Sequence, residues 1–259
     1  FSEAQRIKEL LDFISSDGEQ SLIQNGHVLS MSNAAAQINK IASTNDLTSG
    51  LNFITNTNLL SKEISSNGNL DLYIDKLKSI KSKISNHPSH SFLASSINLN
   101  ELNLNSELKA DLINTSAQGL ADVQDKSYGW ITGSQVSFCA EAFPSVDSRH
   151  DDAPALTILG AVLRNGYLHS AIREKGGAYG SGASQDSHNK VFKFFSYRDP
   201  RCSETFEEFE NSRKWSLEGI TSEQLDEGIL GVISSIDKPL SPYGEAVSDF
   251  MNELDNKSQ

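Results

Sequence analysis

Two hydrophobic periods share this chain, and the switch between them limits its architecture more than any other feature. Through about residue 85, apolar side chains recur every three or four positions. Ile7, Leu10, Leu11 and Ile14 fall on one helical face, behind a Ser2/Gln5 pair with the spacing of a capping box. Gly18 is expected to interrupt that helix. A second helix is expected over residues 19–39, where Ala34, Ala35 and Ala36 permit close packing, and a third over 44–60. Leu70, Tyr73, Ile74, Leu77, Ile80 and Ile84 make the clearest stripe, and it stops before Asn86-His87-Pro88, because proline disfavours helix in the residue before it.

The character then changes. Residues 91–97 read as a short strand and 107–118 as a helix. Over 135–143, Val136, Phe138, Ala140 and Ala142 alternate with Ser137, Cys139 and Glu141, the pattern of a half-buried strand. Pro154 opens a helix over 154–163. After Asn165-Gly166 a second short helical piece carries Tyr167, Leu168, Ala171 and Ile172 as far as Gly176-Gly177. Strands over 178–185 and 190–198 are expected to pair as a hairpin turning near 186–189. A helix over 203–217 follows, then one behind a Thr221/Gln224 capping box with Leu225, Ile229, Val232, Ile233 and Ile236. Residues 241–259 drift into polar side chains with no final strand, and no internal repeat is found.

This order predicts an α+β fold, a largely antiparallel sheet with helices packed on one face. A helical segment over 1–85 precedes it as the end of a neighbouring domain. The α+β domain is expected over 86–259, cut short at its C-terminus. The 259 residues suffice to bury an ordinary core. Against 34 acidic side chains there are 22 basic ones, a net charge of −12. That balance argues against a nucleic-acid binder, which needs a basic footprint, and it favours basic partners. No apolar run approaches the ~20 residues that span a bilayer. Cys139 and Cys202 are the only cysteines, too few for a disulfide framework or a multi-cysteine metal site. The chain starts without an initiator methionine or signal peptide and reads as a piece of something longer, so its compartment is left open.

The chemistry concentrates in residues 167–182. Gly176, Gly177, Gly180 and Gly182 fall within seven positions directly after an amphipathic helix, where the chain turns sharply or is approached closely. A phosphate loop would follow a strand and open a helix. Here the glycines close a helix and open a strand. A helix C-cap accounts for one glycine and leaves the flanking Arg173 and Tyr179 unexplained.

The run Ile172-Arg173-Glu174-Lys175-Gly176-Gly177-Ala178-Tyr179-Gly180 resembles the arginine/tyrosine loop of pitrilysin/insulinase-type (inverzincin) zinc metallopeptidases, nearest to their presequence protease branch. Leu168-His169, Ser196-Tyr197-Arg198-Asp199-Pro200 and the helical region from Gly26-His27 to Ala36 are similar to that branch too. The likeness spans most of the chain and is strongest from about Phe138 to Pro239.

The resemblance implies a clamshell of four related α+β domains of the LuxS/mitochondrial-processing-peptidase type around a closed chamber. Zinc sits in the N-terminal half, on an inverted His-x-x-Glu-His motif. The C-terminal half lends an arginine and a tyrosine that hold the peptide and stabilise the carbonyl under attack. By position these are Arg173 and Tyr179, with His169, Gly176 and Gly177 as substrate-binding neighbours. The implied partners are unstructured peptides, with basic ones favoured by charge, and the zinc-bearing half of the same polypeptide.

This chain itself departs from a complete enzyme. Its histidines are His27, His87, His90, His150, His169 and His188, and neither His-x-x-Glu-His nor His-Glu-x-x-His occurs. His87 and His90 flank a proline in a polar linker, and His150-Asp151-Asp152 reads as solvated loop. Glu204, Glu207, Glu208 and Glu210 read as a solvated helix face. No metal ligand is assigned here, so zinc is expected in the full-length enzyme and not on this chain, which alone is expected to be inactive. The alternative is a non-catalytic homologue acting as a scaffold or partner subunit.

Overall fold

The computed structural model describes residues 3–67, 70–86 and 127–254. The strand expected over 91–97, the helix over 107–118 and the pair His87/His90 lie outside the described residues. The chain divides into two compact units, Phe1–Asn69 with Gly119–Ser235, and Leu70–Gln118 with Ile236–Gln259.

In the first unit, α1 (Glu3–Gln24) runs straight through Gly18. The glycine lets Ile54 of α4 (Leu51–Asn67) approach, since a Cβ on Gly18 would stand 3.2 Å from Ile54 Cγ2. The break falls instead at Asn25, before α2 (Gly26–Ala36). Asn39 opens α3 (Lys40–Ser49), its side chain accepting from the amides of Ile41 and Ala42.

The single helix expected over 44–60 is two, because the chain turns at Gly50. Asp46 is fully buried. Its carboxylate accepts from the Leu51 amide at 2.9 Å and from the side chains of Asn33 and Asn52 at 3.2 and 2.5 Å. It thereby caps α4 with groups that satisfy its buried charge.

The sheet has the order β1-β3-β2 and is antiparallel throughout: β1 is Ala140–Pro144, β2 Gly180–Asp186 and β3 Val191–Tyr197. The hairpin turns where the sequence places it. Asp186 accepts from the Asn189 amide at 3.0 Å and pairs with Lys193 at 2.7 Å across the two strands. Alternation sends Phe192 and Phe194 to one face. There they join Leu163, Leu168, Ile172 and Phe209 in the main core, contributed by α6 (Ala153–Leu163), the π-helix Arg164–Glu174 and α7 (Ser203–Glu218). These helices cover one face, as the pattern predicts.

The other face is covered too. Val191 packs with Ala35 and Ala42, and a Cβ on Gly26 would overlap the Phe138 ring at 2.4–2.7 Å. Helix α2 therefore lies on β1 and β3.

The two helical pieces expected around Asn165-Gly166 are continuous: α6 leads into the π-helix without a loop. Gly166 admits the Trp215 ring, which a Cβ would meet at 2.6 Å. Helix α8 (Ser222–Ile236) lies against α6, where Gly228 faces Val162. Its capping box is reciprocal: the Thr221 amide donates to Gln224 at 3.0 Å, and the Gln224 amide to Thr221 at 3.2 Å.

The second unit contributes α5 (Asp71–Ser85) and α9 (Pro242–Leu254). The helix α9 occupies what the sequence reads as a polar tail; its Tyr243, Val247 and Met251 recur every four residues. No helix among the described residues is long and apolar enough to cross a membrane.

Candidate functional site

The π-helix delivers Arg173 and the hairpin delivers Tyr179, with the glycine turn between them. Bonds from residue i to i−5 define a π-helix, and the Lys175 amide donates to the Ser170 carbonyl at 3.0 Å. The five-residue closure brings together side chains that an α-helix keeps apart. His169 Nε2 lies 3.5 Å from Arg173 Nη1, and His169 Nδ1 lies 3.5 Å from Glu174 Oε1. All three side chains are solvent-accessible.

Two glycines end the helix for different reasons. Gly177 has φ +82°, the left-handed conformation that side chains other than glycine resist. Its amide donates to the Arg173 carbonyl at 3.0 Å, and the Ala178 amide to Ile172 at 3.1 Å. Gly176 has an ordinary backbone but no room: the Arg201 guanidinium fills the position of a Cβ. Arg201 Nη2 donates to the Ala171 carbonyl at 3.3 Å, so the arginine caps the π-helix from outside.

Tyr179 emerges onto the sheet edge. Its amide donates to the Tyr197 carbonyl at 3.0 Å and reaches the Arg198 carbonyl at 3.4 Å. Its ring meets Tyr197 edge-to-face, centroids 5.4 Å apart, and the side chain remains 67% exposed. Arg173 has its polar contact with His169 and none with Tyr179. The pair thus brackets the turn, each on its own support.

The floor of this region is polar and satisfied. Asp199 is fully buried, accepting from the Thr205 hydroxyl at 2.7 Å and the Arg201 amide at 3.0 Å. The Ser181 hydroxyl donates to the Leu168 carbonyl at 3.0 Å, tying β2 to the π-helix. Burial pushes the Cys139 thiol up to about 12, against the pull of the Ser196 hydroxyl. Burial also lowers the His27 imidazole below its ordinary value.

Glu174, Asp199 and Arg201 escaped the sequence reading. The first needs knowledge of the π-turn; the others sit at or just past a stretch, Ser196 to Pro200, that does carry a signal. Among the described residues no group of three or more His, Cys, Asp or Glu side chains is placed to hold a metal. His150 is paired with Asp152 on an exposed loop.

A family model described as the PreP C-terminal domain matches residues 131–259, and a second, described as a peptidase-associated region, matches residues 1–60. The chain belongs to the pitrilysin-type peptidase family, in its presequence protease branch. It corresponds to a C-terminal portion of such a peptidase.

This pitrilysin-type chain is 29% identical, over 98% of its length, to the mitochondrial presequence protease of Drosophila melanogaster, covering 25% of that protein. Over 46% of its length it is 40% identical to the mitochondrial presequence protease of Saccharomyces cerevisiae, covering 12%. Over 95% of its length it is 25% identical to that of Kluyveromyces lactis, covering 27%. The chain therefore spans about a quarter or less of the curated relatives it matches. Arg173 and Tyr179 of this pitrilysin-type chain lie in the segment matched by the C-terminal model, and α2 lies in the segment matched by the other.

Proposed function

We propose that this chain is the substrate-holding part of a zinc-dependent endopeptidase that degrades unstructured peptides in a closed chamber. Arg173 and Tyr179 donate hydrogen bonds to the scissile carbonyl as it gains negative charge. The observation that carries this reading is two exposed donors on an over-determined backbone. Gly177 is left-handed, Gly176 is pressed by Arg201, and the Tyr179 amide is held by two carbonyls. Folding has no use for a tyrosine ring left 67% in water on so fixed a turn. Preorganised donors, by contrast, stabilise an oxyanion without reorganising as it forms.

The chemistry suits these side chains. Arginine stays charged and presents a planar fork of donors. The tyrosine hydroxyl is a neutral donor at pH 7. His169 steadies the guanidinium, and the glycines leave the peptide room to lie close to the backbone. Zinc, when bound, would polarise the substrate and activate water. The described residues offer it no ligand set, so its site is assigned to the N-terminal half of the polypeptide. The relatives' names support a mitochondrial setting and presequence-like, basic substrates, which the −12 charge would attract.

In the full-length polypeptide, Arg173→Ala and Tyr179→Phe should each lower turnover of a flexible peptide about 10²–10³-fold with metal content unchanged. Normal turnover in either variant would refute the oxyanion role. The purified 259-residue chain should hydrolyse nothing and bind no stoichiometric zinc. Chelator-sensitive hydrolysis by this fragment would move the catalytic centre into it.

A further inference from the structure

An exposed tyrosine can act as a directed donor only if something limits its rotamers. We infer that Tyr197 is a positioning residue for Tyr179, and that His27 of α2 holds the Tyr197 ring in place. The inference rests on the reading of Tyr179 as an oxyanion donor.

Tyr197 is a hub of ring contacts. Tyr179 meets it at 5.4 Å with planes 87° apart. His27 meets it at 4.5 Å, Phe138 at 5.9 Å, and the Arg198 guanidinium lies 5.4 Å from its centroid. Tyr197 is half-buried at the end of β3, and its own carbonyl receives the Tyr179 amide at 3.0 Å. One residue therefore fixes both the backbone and the ring of Tyr179. Edge-to-face pairs of this kind bias one arrangement about two- to tenfold.

The surrounding backbone shows what maintains this arrangement. Arg198 has φ +49°, a conformation that residues other than glycine seldom adopt unless neighbours enforce it. Buried Asp199, clamped by Thr205 and the Arg201 amide, follows directly and anchors the turn. In return the Arg198 carbonyl reaches the Tyr179 amide, and its guanidinium packs on Tyr197.

His27 has no polar role to explain it. Its Nδ1 atom is buried without a hydrogen-bond partner, so its ring contacts with Tyr197 and Phe195 are what it contributes. Two ring contacts thus join α2, in the peptidase-associated segment, to the donor in the C-terminal segment.

The test is a double-mutant cycle in the full-length polypeptide, read as kcat and KM on a flexible peptide. Tyr197→Leu should lower kcat about tenfold with KM within about twofold, and Tyr197→Phe, which keeps the ring, should restore most of the rate. In a Tyr179→Phe background Tyr197→Leu should have no further effect, because the hydroxyl it directs is gone. Equal losses in both backgrounds, or no loss in either, would overturn the positioning role while leaving Tyr179 as a donor. Normal kcat for Tyr179→Phe alone would remove the donor reading and this inference with it. Should Tyr197→Leu fail to fold, His27→Ala carries the test: kcat should fall about two- to threefold and recover in His27→Phe. An unchanged kcat in His27→Ala would overturn the role given to α2.

Discussion

His169 stands 3.5 Å from Glu174, five residues along the chain, while its other ring nitrogen stands 3.5 Å from Arg173. That bracket exists because the helix closes its bonds one residue wider than an α-helix. All three groups are exposed, and exposed ion pairs contribute only about 0.2–1 kcal/mol. Glu174→Gln should therefore change turnover of the full-length polypeptide by no more than about fivefold. A fall of a hundredfold would mean that Glu174 itself acts on the substrate.

Gly176 and Gly177 should respond differently to substitution. Gly176→Ala drives a methyl group into the Arg201 guanidinium and the Ile172 carbonyl, a destabilisation of about 1–3 kcal/mol. At Gly177 the nearest neighbour is Pro200 Cγ at an ordinary 3.5 Å. The penalty of Gly177→Ala is conformational, about 1–2 kcal/mol, and asparagine should be tolerated better than alanine or valine there. Denaturation midpoints of these variants decide the matter; equal effects of Asn, Ala and Val at position 177 would contradict the left-handed cap.

Burial holds the folded His27 below its ordinary value of 6.5. The unfolded chain takes up the proton first as pH falls. Stability is therefore intact above about pH 6.5 and is lost as pH drops towards the lower folded value. The unfolding midpoint should fall more steeply between about pH 7 and 5 in the unsubstituted protein than in His27→Phe. Identical slopes would show that His27 titrates as if in water.

The two cysteines should label in sequence. Cys202 is exposed, whereas Cys139 is buried with its thiol pushed up to about 12. Iodoacetamide at about pH 8 should modify Cys202 alone in the native protein and both residues in denaturant. Prompt native labelling of Cys139 would mean that the β1 edge opens far more readily than its packing indicates.

Much of the fold was legible from side-chain order alone. The β2–β3 hairpin, the Pro154 helix start and the Thr221/Gln224 box rest on local chemistry, and each is found where the sequence places it. What escaped depends on distant partners. Gly18 looks like a helix breaker until Ile54 is seen against it, and Gly50 looks helical until Asp46 is seen capping the next segment.

In 135–143 the apolar set Phe138, Ala140 and Ala142 implies one buried face. Cys139 is nevertheless just 3% exposed, because helices cover both faces. Arg173 and Tyr179 were visible through a family likeness, and composition alone would have passed them as a cap and a surface aromatic. The π-helix leaves no periodic mark, so Glu174 was not legible at all.

Helix α2 changes what counts as a separable piece of this protein. A fragment started at residue 131, where the C-terminal family match begins, would carry the strands without Gly26–Ala36. Val191, Phe195 and Tyr197 would then face solvent together, a sticky sheet surface that invites aggregation. Expression work on this region should keep the chain upstream of Asn25, treating the first helices as half of the sheet's shell.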